Sequence, residues 1–536
     1  PGIKFLQNLE AIIKSLMERS DVEGIISATD DDREGQIIAD EIINYISPQK
    51  PVERILLNEW TAEEVNRGLQ NLKPNEEMKS LQDAGFGRQI ADWLIGINLT
   101  SVATLKYRNQ KNIRLLNVGR VLMPTLKIIY DRDKEIADFK VTKYYKLKGI
   151  FQTEDKKKFD SIYYIKAGEK FDNPEELKEI QEKIKDKNGE VVFKKITNKK
   201  EYPPYLFNLS GLQGYITSKY KGWTSDRVLK TAQQLYEKKF ITYPRTASVV
   251  LDESLKEKTA KVLNIHKKSC PYEEMIQFKS TKRIFDSKKV ESHSAIIPTY
   301  MQPGSLNESE RIVYEAVKNR FLAQFMPIAV AEDTVLHIKM QNTDIPGEFV
   351  AKGKVQLEAG WKLIEGIDAK ETILPAVKKG DVLPLIKSEI NEVERKPPKP
   401  HTEKTLLKVM ETCGKKYEEK EEEQMMMAIL SGFSIGTPAT RAETIKKLKD
   451  AGYIKAKGKS LSCTDLGKIL VETFPARELF DLEYTGRLEK TLSDIERKKF
   501  TKDDFLAMIE QFVIESVDKI KNDKVFGGPV TLEPLH

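Results

Sequence analysis

The stretch EGIISATDDDREG, residues 23–35, decides the fold class. Its first half is a short apolar run of the kind that forms a buried parallel strand. The run stops at a cluster of acids, and from about Arg33 to Ile46 apolar residues recur at helical spacing. Upstream, Phe5, Leu6, Leu9, Ile12, Ile13, Leu16 and Met17 recur in the same way. Helix, strand, helix predicts an α/β layer. The acids fall at the carboxyl end of the strand, where open α/β sheets usually place ligands. Crowding Asp30, Asp31, Asp32 and Glu34 raises their mutual repulsion unless a cation or basic group offsets it. Asp30, Asp32 and Glu34 alternate, so a strand-end turn can aim three oxygen ligands at one hard cation such as Mg²⁺. The same acids also favour a helix N-terminus electrostatically, with no cation. Spacing alone leaves both readings open.

Outward from this stretch, the periodicity is mostly helical from Thr61 to Lys140. Between Tyr144 and Ile165 the chain reads as strands, YYKLKGIFQ and FDSIYYI, separated by the charged turn TEDKKK. Strand-like segments return after Ala331, in TVLHIKM and EFVAKGKVQLEAGW, and the intervening Leu206 to Pro327 reads as mainly helical. This predicts one β-rich domain interrupted by a helical insertion. KPPKPH, Lys396 to His401, reads as a stiff linker into a last helical region. EEKEEEQ (418–424) reads as a solvated helix face.

With 536 residues the chain exceeds one compact core, and about three or four domains are expected. Hydrophobic residues make up 40% and charged residues 32%, a soluble globular composition with no apolar run of about 18 residues to cross a membrane. A net charge of +7, from 89 basic and 82 acidic residues, permits an anionic partner without requiring one. Cys270, Cys413 and Cys463 form no C-x-x-C pair, which excludes a disulfide framework and a four-cysteine zinc site and fits a reducing cytoplasm. The chain begins Pro-Gly, without an initiator methionine, and so reads as a fragment.

The second chemical signal is FITYPRTAS, Phe240 to Ser248. Taken alone, Tyr243 is either a core tyrosine before a turn or a reactive phenol with Arg245 beside it. Gln233 and Glu237, four apart, share one face of the helical pattern that ends just before it. Taken alone, that pair is better explained as an ordinary exposed helix face. His293, in SHSAIIPT, is one of five histidines, and lone histidines are usually structural. In GTPATRAE, Thr437 can cap a helix with Pro438 at its first position, leaving backbone N–H groups, Thr440 and Arg441 near a terminus suited to phosphate. A capped helix and nothing more is the bland alternative. Trp93, in the apolar run DWLIGI, reads equally well as core.

SATDDDREGQIIADEI (27–42) resembles the D-x-D-x-E segment of a Toprim domain, and FITYPRTAS resembles the nucleophile segment of type IA DNA topoisomerases. Further segments resemble that family in the same order: GRQIADWLIGINLT (87–100), NVGRVLMPTL (117–126), PPYLFNLSGLQGYI (203–216), AQQLYEKKFITYPRT (232–246), ESHSAIIPT (291–299) and GTPATRAETIKKLKDAGYI (436–454). The likeness spans nearly the whole chain and is greatest to the topoisomerase III branch. It implies a multidomain fold combining α/β, α and β parts: a toroid with a partial Toprim domain (1–60), a helical domain in two parts (61–140 and 396–536), a β-rich arch in two parts (141–205 and 331–395) and a helical insertion carrying the active-site tyrosine (206–330).

The resemblance further implies that Tyr243 cleaves single-stranded or underwound DNA through a transient 5′-phosphotyrosine, without ATP. It makes Arg245, Glu237 and His293 its catalytic companions, and Asp30, Asp32 and Glu34 the Mg²⁺ ligands. Gln233, Arg88, Trp93, Arg120, Thr440 and Arg441 become DNA contacts, arginine holding phosphate and the ring stacking on a base. A monomer, a helicase partner and a cytoplasmic, nucleoid-associated place complete the expectation.

Three departures stand against the family pattern. The first Toprim strand, with its glutamate and lysine, is not found ahead of Asp30, so the chain is expected to start inside that domain. Thr246-Ala247-Ser248 replaces T-D-S, removing one carboxylate, and Leu122-Met123 replaces Gln-Thr, making a groove segment more apolar. The rival readings are a single-stranded DNA-binding protein that has lost catalysis and, further off, a Toprim primase or nuclease.

Overall fold

The computed structural model describes residues 11–57, 59–107, 115–290, 293–413 and 434–525. Residues 11–17 are helical; the start of that predicted helix and the EEKEEEQ stretch lie outside the described residues.

The opening α/β unit forms as the acid-terminated apolar run predicts. Strand β1 (Ile25–Ser27) leads through the acidic turn into α1 (Arg33–Ile46) and back to β2 (Val52–Arg54), which pairs parallel to β1. A parallel pair requires such a crossover. A short strand β3 (Lys73–Pro74) adds antiparallel to β2, completing a three-stranded sheet. The turn between β1 and α1 is tight. Asp32 caps α1 by accepting from the Gly35 N–H at 2.7 Å, and a Cβ at Gly35 would lie 2.0 Å from the Asp30 carbonyl oxygen. Only glycine fits there.

Beyond α2 (Ala62–Leu69), the 29-residue α3 (Lys79–Tyr107) and α4 (Leu122–Ala137) build one wall of the helical body. The chain then enters a closed six-stranded barrel. Its strands are β4 (Lys143–Gln152), β5 (Lys158–Tyr164), β6 (Asn188–Glu201), β7 (Ala329–Met340), β8 (Glu348–Glu358) and β9 (Val382–Glu394), in the order β4-β5-β8-β7-β6-β9. Inward residues such as Phe151, Tyr163, Leu336 and Phe349 fill it, and helix α5 (Pro174–Ile184) adds Leu177, Ile180 and Ile184.

The segment between β6 and β7 lies outside the barrel. It contains α6 (Leu209–Lys219), α7 (Ser225–Glu237), α8 (Lys256–His266) and α9 (Glu308–Ala323). It is less helical than its apolar periodicity predicts. Residues 241–251 and 293–298 form no regular helix or strand and are joined to other segments by isolated bridges, Ile241 with Pro298, Phe207 with Ile296 and Leu251 with Phe285, and by single hydrogen bonds. Side chains supply much of the remaining bonding. Thr242 Oγ1 accepts from the Ile297 N–H and Thr246 Oγ1 donates to the His293 carbonyl.

After β9 the chain returns to the helical body as α10 (Glu403–Glu411), α11 (Pro438–Asp450), the hairpin β10 (Ile454–Lys457) and β11 (Ser460–Cys463), α12 (Asp465–Thr473), α13 (Leu482–Glu496) and α14 (Lys502–Asn522). These share one core with α3 and α4, in which Ile95, Leu99, Leu126, Leu406, Leu492 and Phe505 meet. Leu122 and Met123 are part of that core, so their apolar character serves packing and does not line a groove. The insertion's clusters are separate from that core, and one of them also takes in Ala329 of β7 and Trp361.

Candidate active site

The two chemical signals of the sequence meet. Tyr243 is 1% exposed, and its hydroxyl donates to Asp32 Oδ2 at 2.5 Å, across 211 positions of sequence. Its ring lies edge-on to Tyr236 (5.3 Å between centroids) and 4.4 Å from the His293 ring. Two features aim it there. Helix α7 ends at Glu237, and Lys239 takes a left-handed φ of 69° that turns the chain sharply into Phe240–Ser248. The paired 293–299 segment then fixes the far side, with the Thr242 N–H donating to the Ile297 carbonyl at 2.9 Å.

Opposite, the acidic turn is braced from beneath. Arg54, fully buried on β2, donates to Ser27 O, Thr29 Oγ1 and Asp30 O at 3.2, 2.9 and 2.6 Å. The His293 Nε2 contacts the Asp31 carbonyl. Burial raises the proton affinity of Asp30, and the Asp32 charge adds to it, against Arg245 and His293. Burial likewise raises Asp31. For Tyr243, burial first, then the charges of Asp32 and Asp30 and the Asp32 hydrogen bond, push the phenol well above its ordinary value, with Arg245 opposing. The phenol is held protonated and hydrogen-bonded.

A cavity of about 120 Å³ opens beside this pair, lined by Asp32, Arg33, Arg245, Ser248, His293 and Thr437 among others. The buried Nε of Arg245 has no hydrogen-bond partner among the described residues, nor has Ser248 Oγ. Unpaired buried donors are costly, so these atoms favour a ligand with acceptor oxygens. Arg88 crosses from α3 to contact Glu34 and donates to Thr437 Oγ1 and Thr440 Oγ1 at 3.3 and 3.2 Å. It thereby fastens the start of α11, with Pro438 first and Thr437–Thr440 as a capping box, to the acidic turn.

The structure sorts the other expected residues. Gln233 donates to Glu237 at 3.2 Å on α7, and a buried oxygen of Gln233 is left unpartnered. Trp93 is 60% exposed on α3, which excludes the core reading. Arg120 and Arg441 are not brought to the cavity. Arg120 is claimed by Asp92 (2.8 Å) and Glu489 (2.7 Å), and Arg441 by Glu411 and Ser210 (both 3.3 Å) and the Ile435 carbonyl. Their guanidinium groups are buried in ion pairs, so a direct phosphate contact is corrected to an internal one for both.

The carboxylate trio does not form as a set. Asp32 is committed at both oxygens, to Gly35 and Tyr243, and Glu34 is paired with Arg88. Among the described residues no group of three or more His, Cys, Asp or Glu side chains converges to hold a metal ion. Asp30 and Asp32 fit a hard cation by chemistry, being half-buried carboxylates two positions apart whose charges repel. Arg54 and Asn208 were not legible as site residues. Asn208 donates to the Ala247 carbonyl at 3.0 Å while capping α6. The only sequence signal for either is an arginine in a strand and an asparagine before a helix.

Phenol, carboxylates, arginine and capped helix start are thus brought together on a mixed α/β, α and β scaffold. Comparison with known proteins identifies the family. A match to the DNA topoisomerase family covers residues 76–507. The chain is 32% identical over 521 residues to DNA topoisomerase 3 of Staphylococcus epidermidis, covering 96% of this chain and 71% of the relative. Against DNA topoisomerase 3 of Bacillus cereus it is 32% identical over 531 residues, covering 95% and 70%. Full-length topoisomerase I from Thermotoga maritima superposes with a TM-score of 0.75 at 27% identity, covering 97% of this chain and 81% of that one. The chain belongs to the DNA topoisomerase family, as a type IA, topoisomerase 3-like isomerase. Among the described residues no helix is long and apolar enough to cross a membrane.

Proposed function

We propose that the protein cuts one DNA strand, in single-stranded or underwound regions, by attack of the Tyr243 hydroxyl oxygen on a backbone phosphorus. The 5′-phosphate stays on the tyrosine as an ester, a second strand passes, and the free 3′-hydroxyl reseals the break. The observation that carries this reading is the Tyr243–Asp32 hydrogen bond beside the unpartnered Arg245 Nε. Asp32 takes the phenol proton as the new P–O bond forms, the P–O3′ bond breaks and its oxygen takes a proton from water to become the 3′-hydroxyl, and Arg245 forks onto the phosphate oxygens that gain charge. His293, its ring tilted against the phenol, is a second phosphate contact, and Gln233 and Glu237 steady the helix behind it. The phosphotyrosyl ester keeps the energy of the broken bond, so resealing needs no ATP.

Asp30 and Asp32 are the residues that would hold Mg²⁺. Bound there, the ion supplies positive charge that offsets the two carboxylates and steadies the DNA ends. We read the protein as a monomer acting on nucleoid DNA in the cytoplasm, with a helicase as the partner that exposes single strands.

The deciding experiment incubates the chain with an end-labelled single-stranded oligonucleotide and denatures it rapidly. A covalent adduct on the 5′-phosphate side that vanishes in Tyr243→Phe is expected. Binding without adduct in the unaltered chain would sink the reading in favour of a binding protein.

A further inference from the structure

Helix α10 carries a buried glutamate at each end, Glu403 at 9% and Glu411 at 8% exposure. Buried carboxylates need partners, and both find them across the boundary with the tyrosine-bearing insertion. Glu403 Oε2 accepts from the Ser225 N–H at 2.5 Å and from its hydroxyl at 2.6 Å, while Oε1 accepts from Lys449 of α11 at 2.5 Å. Ser225 opens α7, whose own cap Thr224 serves the Arg227 N–H. Glu403 therefore satisfies a further open amide of that helix from outside, with a negative charge at its positive end. Helix α7 is the one that runs into Tyr243.

At the other end, Glu411 Oε1 accepts from Asn208 and Arg441, each at 3.3 Å. The same Asn208 amide donates to the Ala247 carbonyl, and the Leu209 N–H donates to the Thr246 carbonyl at 3.1 Å. One helix of the body thus grips the start of the helix before the tyrosine and the backbone just after it. These contacts are polar, whereas the apolar clusters of body and insertion remain separate. Water can replace polar contacts when the two parts move apart; an apolar core shared between them would resist that far more.

We propose that Glu403 and Glu411 form the clasp that seats the insertion on the body, and are positioning residues that set the balance between resealing and strand passage. The proposal rests on the topoisomerase reading above. Resealing needs the insertion seated; passage needs it lifted. Loosening the clasp leaves cleavage by seated molecules almost unchanged but delays reseating of the cut ends.

The test uses Glu403→Gln and Glu411→Gln in the full chain, with cleavage and resealing of a single-stranded oligonucleotide timed separately. Losing a charged hydrogen bond slows resealing about tenfold and raises the steady adduct, with cleavage held within about twofold. A merely structural loss would lower both rates together, and that outcome overturns the proposal. Amide hydrogen exchange without DNA gives a second readout. In Glu403→Gln, the Ser225 and Leu209 amides exchange faster than in the unaltered chain; unchanged protection there rejects the clasp. Should the unaltered chain form no adduct, the reading of Tyr243 fails, and the exchange result still decides the clasp.

Discussion

At the scale of single residues, the site is a set of matched wants. Tyr243 is kept protonated by burial and two carboxylates, and Arg245 holds an unfilled donor toward the same cavity. Arg245→Gln should weaken single-stranded DNA binding at every sequence and lower the slope of log affinity against log salt by about 0.7, the value for one phosphate on a single strand. A salt titration of an oligonucleotide reads this directly; an unchanged slope means that Arg245 does not touch phosphate. Tyr243 and Arg245 fall within one short motif, yet that motif alone reads as well as a core tyrosine before a turn, and only the family resemblance singled the two out. The same resemblance misread Arg120. Its partner Glu489 lies 369 positions away, and nothing local to NVGRVLMPTL shows that a distant carboxylate will claim the guanidinium.

At the scale of elements, the acidic turn depends on a close approach that only Gly35 allows. Gly35→Ala should push the turn off Asp30, at a cost of about 3 kcal/mol in urea unfolding of the α/β unit, and abolish the adduct. Full stability and activity would show that the turn yields freely. The strand–turn–helix itself was visible in EGIISATDDDREG, since the periodicity changes from a continuous run to helical spacing at the acids. The irregular crossing of residues 241–251 was not. Its backbone is bonded to threonine side chains and isolated bridges, which leave no period in the sequence.

At the scale of the whole molecule, charge holds the α/β unit to the helical body. Arg33 pairs with Glu496 and Glu489 and Arg88 with Glu34 across that boundary, while Arg120 joins Asp92 and Glu489 within the body. Burial pushes Glu489 up, but Arg120, Arg88 and Arg33 override it and hold the carboxyl at about 2, from an ordinary 4.5. A depressed carboxylate stabilises the fold fully above its unfolded value and loses that contribution as pH falls from about 4.5 toward about 2. Glu489→Gln should destabilise by about 3–5 kcal/mol at neutral pH and flatten the acid side of the melting-temperature profile. An acid limb identical to that of the unaltered chain would place the coupling elsewhere.

The topology has one more consequence. Glu201, where the chain leaves the barrel, pairs directly with Ala329, where it returns. Paired residues on neighbouring antiparallel strands are about 5 Å apart. The tyrosine-bearing part is therefore spliced into a single rung of the barrel, like a cassette whose two leads plug into adjacent sockets. A short turn could join those leads and leave the barrel shut, and new chain ends could be cut elsewhere without breaking the circuit. Any swing of the cassette then bends two neighbouring leads together, and the barrel needs no new pairing to follow it.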